Sequence, residues 1–167
     1  DETPRWVGVP GMSALPRALA EGLDVRYPVR VTALRGEPGR WRLATEEGED
    51  EGPFEQVLLC LPAPQVAELL APAPELARAA AAVEMEPCWA VLADYPEPLD
   101  LPFDGAFVHR SPLAWVARDS AKPGRAPGER WVLHAAGPWT RHHFEDDPQR
   151  VADGLVSALF AAVGRLR

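Results

Sequence analysis

His134 is the residue of this chain whose type and surroundings best suit acid–base chemistry. It lies in the run Trp131-Val132-Leu133-His134-Ala135, which predicts a strand with His134 and Val132 on one face. An imidazole facing an apolar cleft can donate or accept a proton near neutral pH. The pattern fits a hydrogen-bonded core histidine equally well. His134 is nevertheless the candidate catalytic residue.

Tryptophans are the second feature with chemical potential. Four of the six lie in the second half of the chain: Trp89, Trp115, Trp131 and Trp139. Several indoles on one sheet could form a stacking wall for a flat ring, although core packing is the competing interpretation. We take Trp115, Trp131 and Trp139 as candidate substrate contacts.

Basic residues cluster around one predicted turn. Arg118, Lys122 and Arg125 flank the residues Pro123 and Gly124. They could clamp an anion or form an ordinary basic hairpin, and the pattern does not choose between the two. Arg118 and Lys122 join the candidate substrate contacts.

Metal binding is not predicted. His142 and His143 are followed by acidic residues, but adjacent histidines in a polar loop lack the spacing of a defined site. The sequence also contains no Gly-x-Ser-x-Gly, P-loop, His-Glu-x-x-His or Gly-x-Gly-x-x-Gly motif. Hydrolysis through a nucleophile–base pair is therefore not indicated.

Charge and hydropathy narrow the classes of partner. The formal net charge of the 167 residues is -8, which disfavours binding to a phosphate backbone. No apolar run approaches the ~18 residues of a membrane span, and no signal peptide is visible. We expect a cytoplasmic protein that binds neither nucleic acid nor membrane.

The helices and strands that position these residues can be predicted from the sequence pattern, and together they indicate an α+β fold with two lobes. The first lobe comprises residues 1–83. It is expected to contain a three-stranded antiparallel meander formed by Asp24–Tyr27, Val29–Leu34 and Arg40–Thr45. The acidic run Glu46–Glu51 is expected to be a solvated loop. Helices are expected near Ala14–Leu23, Val66–Leu70 and Pro74–Val83.

The run Val57–Leu61 is the strongest strand signal in the first lobe. Its five consecutive apolar residues predict a strand buried on both faces, and Pro62 and Pro64 end it. A helix begins near Gln65. In open α/β sheets ligands bind at this end of a strand, so the turn marks a candidate ligand edge.

The second lobe, residues 84–167, is expected to hold an antiparallel sheet with flanking helices. Its predicted strands are Cys88–Tyr95, Ala106–His109, Leu113–Arg118 and Trp131–Ala135. Asp147-Pro148 is expected to cap a final helix with apolar positions at helical spacing.

Several motifs together resemble one protein family. They are Gly11-Met12-Ser13-Ala14-Leu15, Val29-Arg30-Val31 with Trp41, Leu61-Pro62-Ala63-Pro64-Gln65, Pro87-Cys88-Trp89-Ala90, Ser111-Pro112-Leu113-Ala114-Trp115, Ser120-Ala121-Lys122-Pro123-Gly124-Arg125 and Trp131-Val132-Leu133-His134-Ala135. In this order they resemble the middle of a bacterial renalase-like flavoprotein of the FAD-dependent amine oxidase superfamily. Each motif is weak alone, and the combination covers nearly the whole chain.

The resemblance implies FAD as cofactor and assigns roles to individual residues. The strand holding Val29 would present backbone groups to the adenine, and the turn at Pro62 and Ala63 would approach the cofactor. The strand holding His134 would lie on the substrate side, facing the isoalloxazine. Family members of known activity oxidise dihydronicotinamide isomers, passing a hydride to flavin and electrons to molecular oxygen; an amine is the other substrate class implied.

The resemblance also implies a protein of roughly twice this length. The glycine fingerprint would precede Asp1 and a closing FAD-binding segment would follow Arg167, so we expect an interior piece that, isolated, neither binds FAD tightly nor turns over. Two other functions stay open. One is a non-catalytic small-molecule binding module with a tryptophan-lined cleft, and the other is a partner-binding domain that uses the edge of the meander.

Overall fold

The computed structural model describes residues 6–164, which belong to two compact units. The meander unit is Leu23–Met85, and the sheet-and-helix unit combines Asp1–Gly22 with Glu86–Arg167. Each unit contains helices and an antiparallel sheet, which confirms the predicted α+β class. The lobe boundary was predicted near residues 83–86, and the two units divide after Met85. The segment that ends at Gly22 was predicted to belong to the first lobe, but it belongs to the sheet-and-helix unit.

Twelve helices and strands and one 3₁₀ turn make up the described chain. In order they are α1 (Ala14–Leu19), β1 (Val31–Arg35), β2 (Trp41–Thr45), β3 (Asp50–Phe54), α2 (Ala63–Leu69), α3 (Pro74–Ala81), β4 (Ala90–Tyr95), β5 (Gly105–Phe107), β6 (Leu113–Arg118), the 3₁₀ turn (Asp119–Ala121), β7 (Glu129–Ala135), α4 (Gly137–His142) and α5 (Pro148–Gly164).

The meander unit has the strand order β1-β2-β3, but its third strand is not the predicted one. The prediction of a strand at Asp24–Tyr27 is wrong, because these residues are exposed and form no strand ladder; Arg26 reaches β3 only through its side chain, which donates to Glu51 Oε1 at 3.0 Å. The end of the acidic run forms β3 instead. Thr45 closes the β2–β3 turn, since its backbone N–H and its hydroxyl both donate to Glu49 O, at 3.0 and 3.3 Å. This turn overrides the low strand propensity of the acidic residues.

The prediction of a buried strand at Val57–Leu61 is also wrong for the described chain. These residues lie outside the sheet, and Leu58 is 87% exposed. A strand buried on both faces requires ladder partners and covering layers. Within residues 6–164 no strand pairs with this segment, so its apolar side chains stay partly or largely in solvent. The helix expected near Gln65 begins at Ala63.

The sheet-and-helix unit is built on a four-stranded antiparallel sheet in the order β4-β7-β6-β5. Helix α5 packs against one face of this sheet and buries Val151, Leu155 and Leu159, which are spaced by four residues. The predicted N-terminal cap is confirmed: Asp147 Oδ1 accepts from the backbone N–H groups of Gln149 (3.0 Å) and Arg150 (3.2 Å). The face under α5 is called the helix-covered face below.

Helix α4 was not predicted. Its first turn contains Pro138, a position that tolerates proline, and Thr140 is buried on its inner side. Thr140 Oγ1 accepts a 3.3 Å hydrogen bond from Trp89 N, which ties α4 to the start of β4.

Candidate functional site

Trp115 and His134 are directly paired neighbours on β6 and β7. On their other sides Trp115 pairs with Phe107 of β5, and His134 pairs with Ala90 of β4. Directly paired residues of antiparallel strands project from the same face. The four residues therefore form one row across the sheet.

This row lies on the face opposite α5, called the open face below. The side chains of β7 alternate: Trp131, Leu133 and Ala135 are buried in the core with α5, whereas Val132 and His134 are half-buried on the other side. Leu92, which pairs with Val132, is 80% exposed. The open face therefore presents apolar surface around the His134 imidazole, and the directly paired Asp94 and Arg130 lie on the same face further along β4 and β7.

Trp115 has a defined position on the open face. Its ring lies 4.7 Å from the Phe107 ring, centroid to centroid, at an angle of 57°. It also passes over Gly105, where an added Cβ would lie 3.1 Å from the indole. Glycine at position 105 thus leaves the space over β5 that the indole occupies.

Trp131 lies on the helix-covered face, so it does not form a single wall with Trp115. It is 1% exposed, and its Nε1–H donates to Glu129 Oε1 at 2.7 Å. Phe103 meets its ring edge-on, with centroids 5.9 Å apart. The reason is the register: β6 is irregular between Leu113 and Trp115, and Trp131 pairs with Arg118 rather than with Trp115.

Arg118 is held beside Trp131. Its guanidinium carbon is 5.0 Å from the indole centroid, a cation–π distance. Its Nε lies 3.4 Å from Glu129 Oε1, and its Nη1 lies 3.4 Å from Asp104 Oδ1. The charge of Arg118 is therefore balanced by protein carboxylates.

Lys122 is likewise paired within the protein. Its Nζ donates to Asp119 Oδ1 at 3.0 Å, and Arg125 Nε lies 3.8 Å from the same oxygen. The hydrogen bond from Lys122 lowers the pKa of Asp119 below its usual range, and the positive charges of Lys122 and Arg125 add to the effect. Of the two alternatives left open by the sequence, these contacts within the protein are those of an ordinary basic hairpin.

Trp139 lies on α4 and packs against the His143 ring, with centroids 4.1 Å apart and planes at 27°. His143 Nδ1 is 2.7 Å from Asp146 Oδ2, and this hydrogen bond lowers the pKa of Asp146. His143 O accepts from Trp89 Nε1 at 2.9 Å. The Trp89 indole thus ties the end of α4 to the start of β4, and Trp139 packs against the residue that ends its own helix.

The meander unit contains a separate cleft of about 860 Å³, called the meander cleft below. One side consists of Val29–Thr32 and the other of Val57–Leu61, and Leu43 of β2 and Gln65, Glu68 and Leu69 of α2 also line it. Val29, a predicted cofactor contact, lines the cleft. Pro62 and Ala63 follow Leu61 at the start of α2. Of the three predicted cofactor contacts, Val29 lines the cleft, whereas Pro62 and Ala63 do not line it, and the strand expected at Val57–Leu61 does not form.

Among residues 6–164, no group of three or more His, Cys, Asp or Glu side chains is arranged to hold a metal ion. None of the helices in the same range has the length and apolar character needed to cross a bilayer.

Sequence reasoning missed Phe107, Gly105 and Leu92 as components of the open face. A strand was predicted at Ala106–His109, and the structure places it at Gly105–Phe107, but the pairing of Phe107 with Trp115 is a long-range property that the local pattern does not contain. Leu92 lies in a predicted strand, but its face depends on the pairing between β4 and β7, which is a long-range property.

Comparison with known proteins places the chain in a class of redox enzymes. The family model of flavin-containing amine oxidoreductases matches residues 2–164. The chain therefore belongs to the flavin-containing amine oxidoreductase family, and the family-level prediction from sequence is confirmed.

One solved structure is also similar: a candidate protoporphyrinogen oxidase from Exiguobacterium sp. 255-15. The sequences are 22% identical, and the TM-score is 0.46. The match covers 86% of this chain and 36% of the other, so this chain spans little more than a third of that protein's length.

Proposed function

We propose that this chain is part of an FAD-dependent oxidoreductase of the renalase type, in which the open face forms one wall of the substrate site. The observation that carries the proposal is the cross-strand row of Phe107, Trp115 and His134 on the face that α5 leaves uncovered. A flavin enzyme needs flat apolar walls and few titrating groups, because the cofactor supplies the redox chemistry. The family assignment supports the same class.

Trp115 would stack on a flat substrate ring. Its indole already packs against Phe107 and over Gly105. Little side-chain conformational entropy would therefore be lost on binding. His134, the next residue along the row, would hydrogen-bond a polar atom of that ring and could hold or accept a proton there. This assigns stacking to Trp115 and orientation to His134.

Trp131 and Arg118 would act from behind the wall. Their mutual contact and their shared partner Glu129 fix β6 and β7 on the helix-covered face. Trp139 and Lys122, also predicted as substrate contacts, have protein partners in His143 and Asp119. We propose that these four residues position the sheet, which leaves Trp115 and His134 as the substrate contacts best supported by geometry.

The meander cleft would hold part of the FAD. Its volume and its two extended backbone walls fit a nucleotide portion, with Val29 on one wall and Pro62 and Ala63 beyond the other. The chemistry that bound FAD would supply is hydride acceptance from the substrate, followed by electron transfer to molecular oxygen. Within the chain, Val29, Pro62 and Ala63 would contribute backbone contacts, and the glycine fingerprint expected for the pyrophosphate is not in this sequence.

We further propose a dihydronicotinamide isomer or a small amine as substrate, and a cytoplasmic location. A planar heterocycle matches the stacking surface of Trp115 better than an aliphatic amine does. A non-catalytic binding module is the second candidate, since the aromatic pair Phe107–Trp115 alone could hold a flat ligand.

Spectroscopy and kinetics distinguish these functions. The natural full-length protein should copurify with flavin and consume oxygen on addition of a dihydronicotinamide isomer. Its Trp115→Ala variant should keep its flavin and lose turnover. A full-length protein without flavin that still binds nicotinamide rings would support the binding module instead.

A further inference from the structure

A second cavity lies within the sheet-and-helix unit, on the helix-covered side of β5. Its volume is about 460 Å³, and we call it the β5–α5 pocket. Val116 and Leu159, each 1% exposed, form its floor. The walls are Ala106 and Val108 of the edge strand region and Ala162 and Val163 of α5. Volumes of about 300–1,000 Å³ with predominantly apolar walls are typical of small-molecule sites.

The rim of this pocket is polar and basic. His109 and Arg110 line the cavity and are exposed, whereas no Asp or Glu is among the described residues that line it. Within residues 6–164, Arg110 forms no described ion pair, in contrast to Arg118 and Lys122. An exposed guanidinium at the edge of an apolar cavity is suited to an anionic head group.

The backbone fixes Arg110 in an uncommon conformation. Its φ is 55°, in the left-handed region, which a residue with a Cβ rarely adopts. The next residue stabilises this turn, because Ser111 Oγ accepts from Leu113 N at 3.2 Å. Asparagine tolerates this conformation better than most residues. The substitution Arg110→Asn should therefore remove the positive charge without disturbing the turn.

We propose that the β5–α5 pocket binds an aliphatic monocarboxylate. The hydrocarbon chain would lie between β5 and α5 over Val116 and Leu159, and the carboxylate would pair with Arg110 and accept a hydrogen bond from His109. Charge complementarity excludes a cationic head group, and the apolar walls exclude a compact polar anion such as phosphate. Phe107 lines the pocket and also packs against Trp115, but Trp115 and His134 themselves do not line it, and the proposed binding does not depend on the flavin reaction.

Octanoate tests the proposal by calorimetric titration into the natural full-length protein, with octanamide as the uncharged analogue. We expect saturable binding of octanoate. The affinity for octanamide should be at least about tenfold weaker than that for octanoate. Arg110→Asn should weaken octanoate about tenfold and leave octanamide unchanged. Arg17→Gln, an exposed arginine on α1, is the matched charge control and should change neither.

Ala162→Leu tests the location independently, because the larger side chain fills the cavity from α5. It should abolish binding of both ligands while thermal unfolding remains cooperative. Absence of octanoate binding to the wild-type protein would overturn the proposal, as would equal affinity for octanamide or an unchanged affinity in Arg110→Asn. Retained octanoate binding in a folded Ala162→Leu variant would also overturn the proposal. If that variant does not fold, the octanoate affinity of Arg110→Asn decides whether the proposal stands.

Discussion

Trp115 of β6 and His134 of β7 are directly paired neighbours, and both project from the side of the sheet away from α5. Trp131, three residues before His134 in the chain, projects from the opposite side. The pairing, not the proximity in sequence, therefore decides which aromatic residue can share a ligand with the imidazole. Every prediction about the open face depends on this relationship.

His134 is expected to matter for turnover and little for folding. In the natural full-length enzyme, His134→Gln should lower kcat/KM about tenfold through loss of an oriented hydrogen bond to the substrate. The thermal midpoint should hardly change, because the side chain lies outside the α5 core. Steady-state oxygen consumption measures the effect. His142→Gln, an exposed histidine on α4, serves as the control and should leave kcat/KM unaltered.

Trp131→Ala is expected to destabilise the protein by about 3–5 kcal/mol, the range for removing a buried aromatic side chain. The indole is 1% exposed and is the partner of both Arg118 and Glu129. Chemical denaturation followed by tryptophan fluorescence and circular dichroism would measure the loss. Trp115→Ala is the comparison variant. A larger destabilisation for Trp115→Ala than for Trp131→Ala would contradict the assignment of faces.

Gly105→Ala should displace the Trp115 indole, since the added Cβ would lie 3.1 Å from the ring. We expect a rise in KM with a small change in stability, because the contact lies on the open face. Gly164→Ala offers a control, as no atom lies within contact distance of a Cβ there. A KM for Gly105→Ala equal to that of wild type would show that the indole position is unimportant for substrate binding.

Asp119 should make stability dependent on pH in the acid range. The hydrogen bond from Lys122 lowers its pKa in the folded state, so the charged form stabilises the fold. This contribution is fully present above the unfolded pKa of about 3.9 and disappears as the pH falls through the lowered folded value. Asp119→Asn should therefore lower the thermal midpoint at neutral pH, by an amount equivalent to about 1 kcal/mol or less, and should match wild type in strong acid.

Thermal unfolding across the acid range measures that difference. Asp100→Asn, an exposed carboxylate elsewhere in the same unit, is the control and should behave as wild type throughout. A gap between Asp119→Asn and wild type that persists unchanged in strong acid would mean that the ion pair is not its source.

Leu58→Asp tests the role proposed for the meander cleft. Leu58 is 87% exposed in the described chain, although it lies in a run typical of a strand buried on both faces. In the natural full-length protein we expect this run to be covered and the substitution to reduce the flavin content. Leu76→Asp on α3, at a position 61% exposed, should retain flavin. Full flavin content in Leu58→Asp would argue against the cofactor assignment.

The sequence predicts local features of this fold well and long-range pairings poorly. Asp147 as a helix cap and the strand Leu113–Arg118 follow from capping chemistry and alternation within a few residues. The third meander strand could not be recognised, because a turn at Thr45 and Glu49 imposes it on acidic residues. The tryptophans illustrate the same limit: their residue type indicates an aromatic surface, but only the register assigns them to opposite faces.

The rate of flavin reduction by a dihydronicotinamide substrate under anaerobic conditions tests the central claim most directly. In the natural full-length protein, Trp115→Ala should retain its flavin and lower this rate constant at least about tenfold, whereas Trp139→Phe, which keeps an aromatic ring beside His143, should reduce flavin at the wild-type rate. An unchanged rate constant in a flavin-loaded Trp115→Ala variant would contradict the assignment of the open face as the substrate wall.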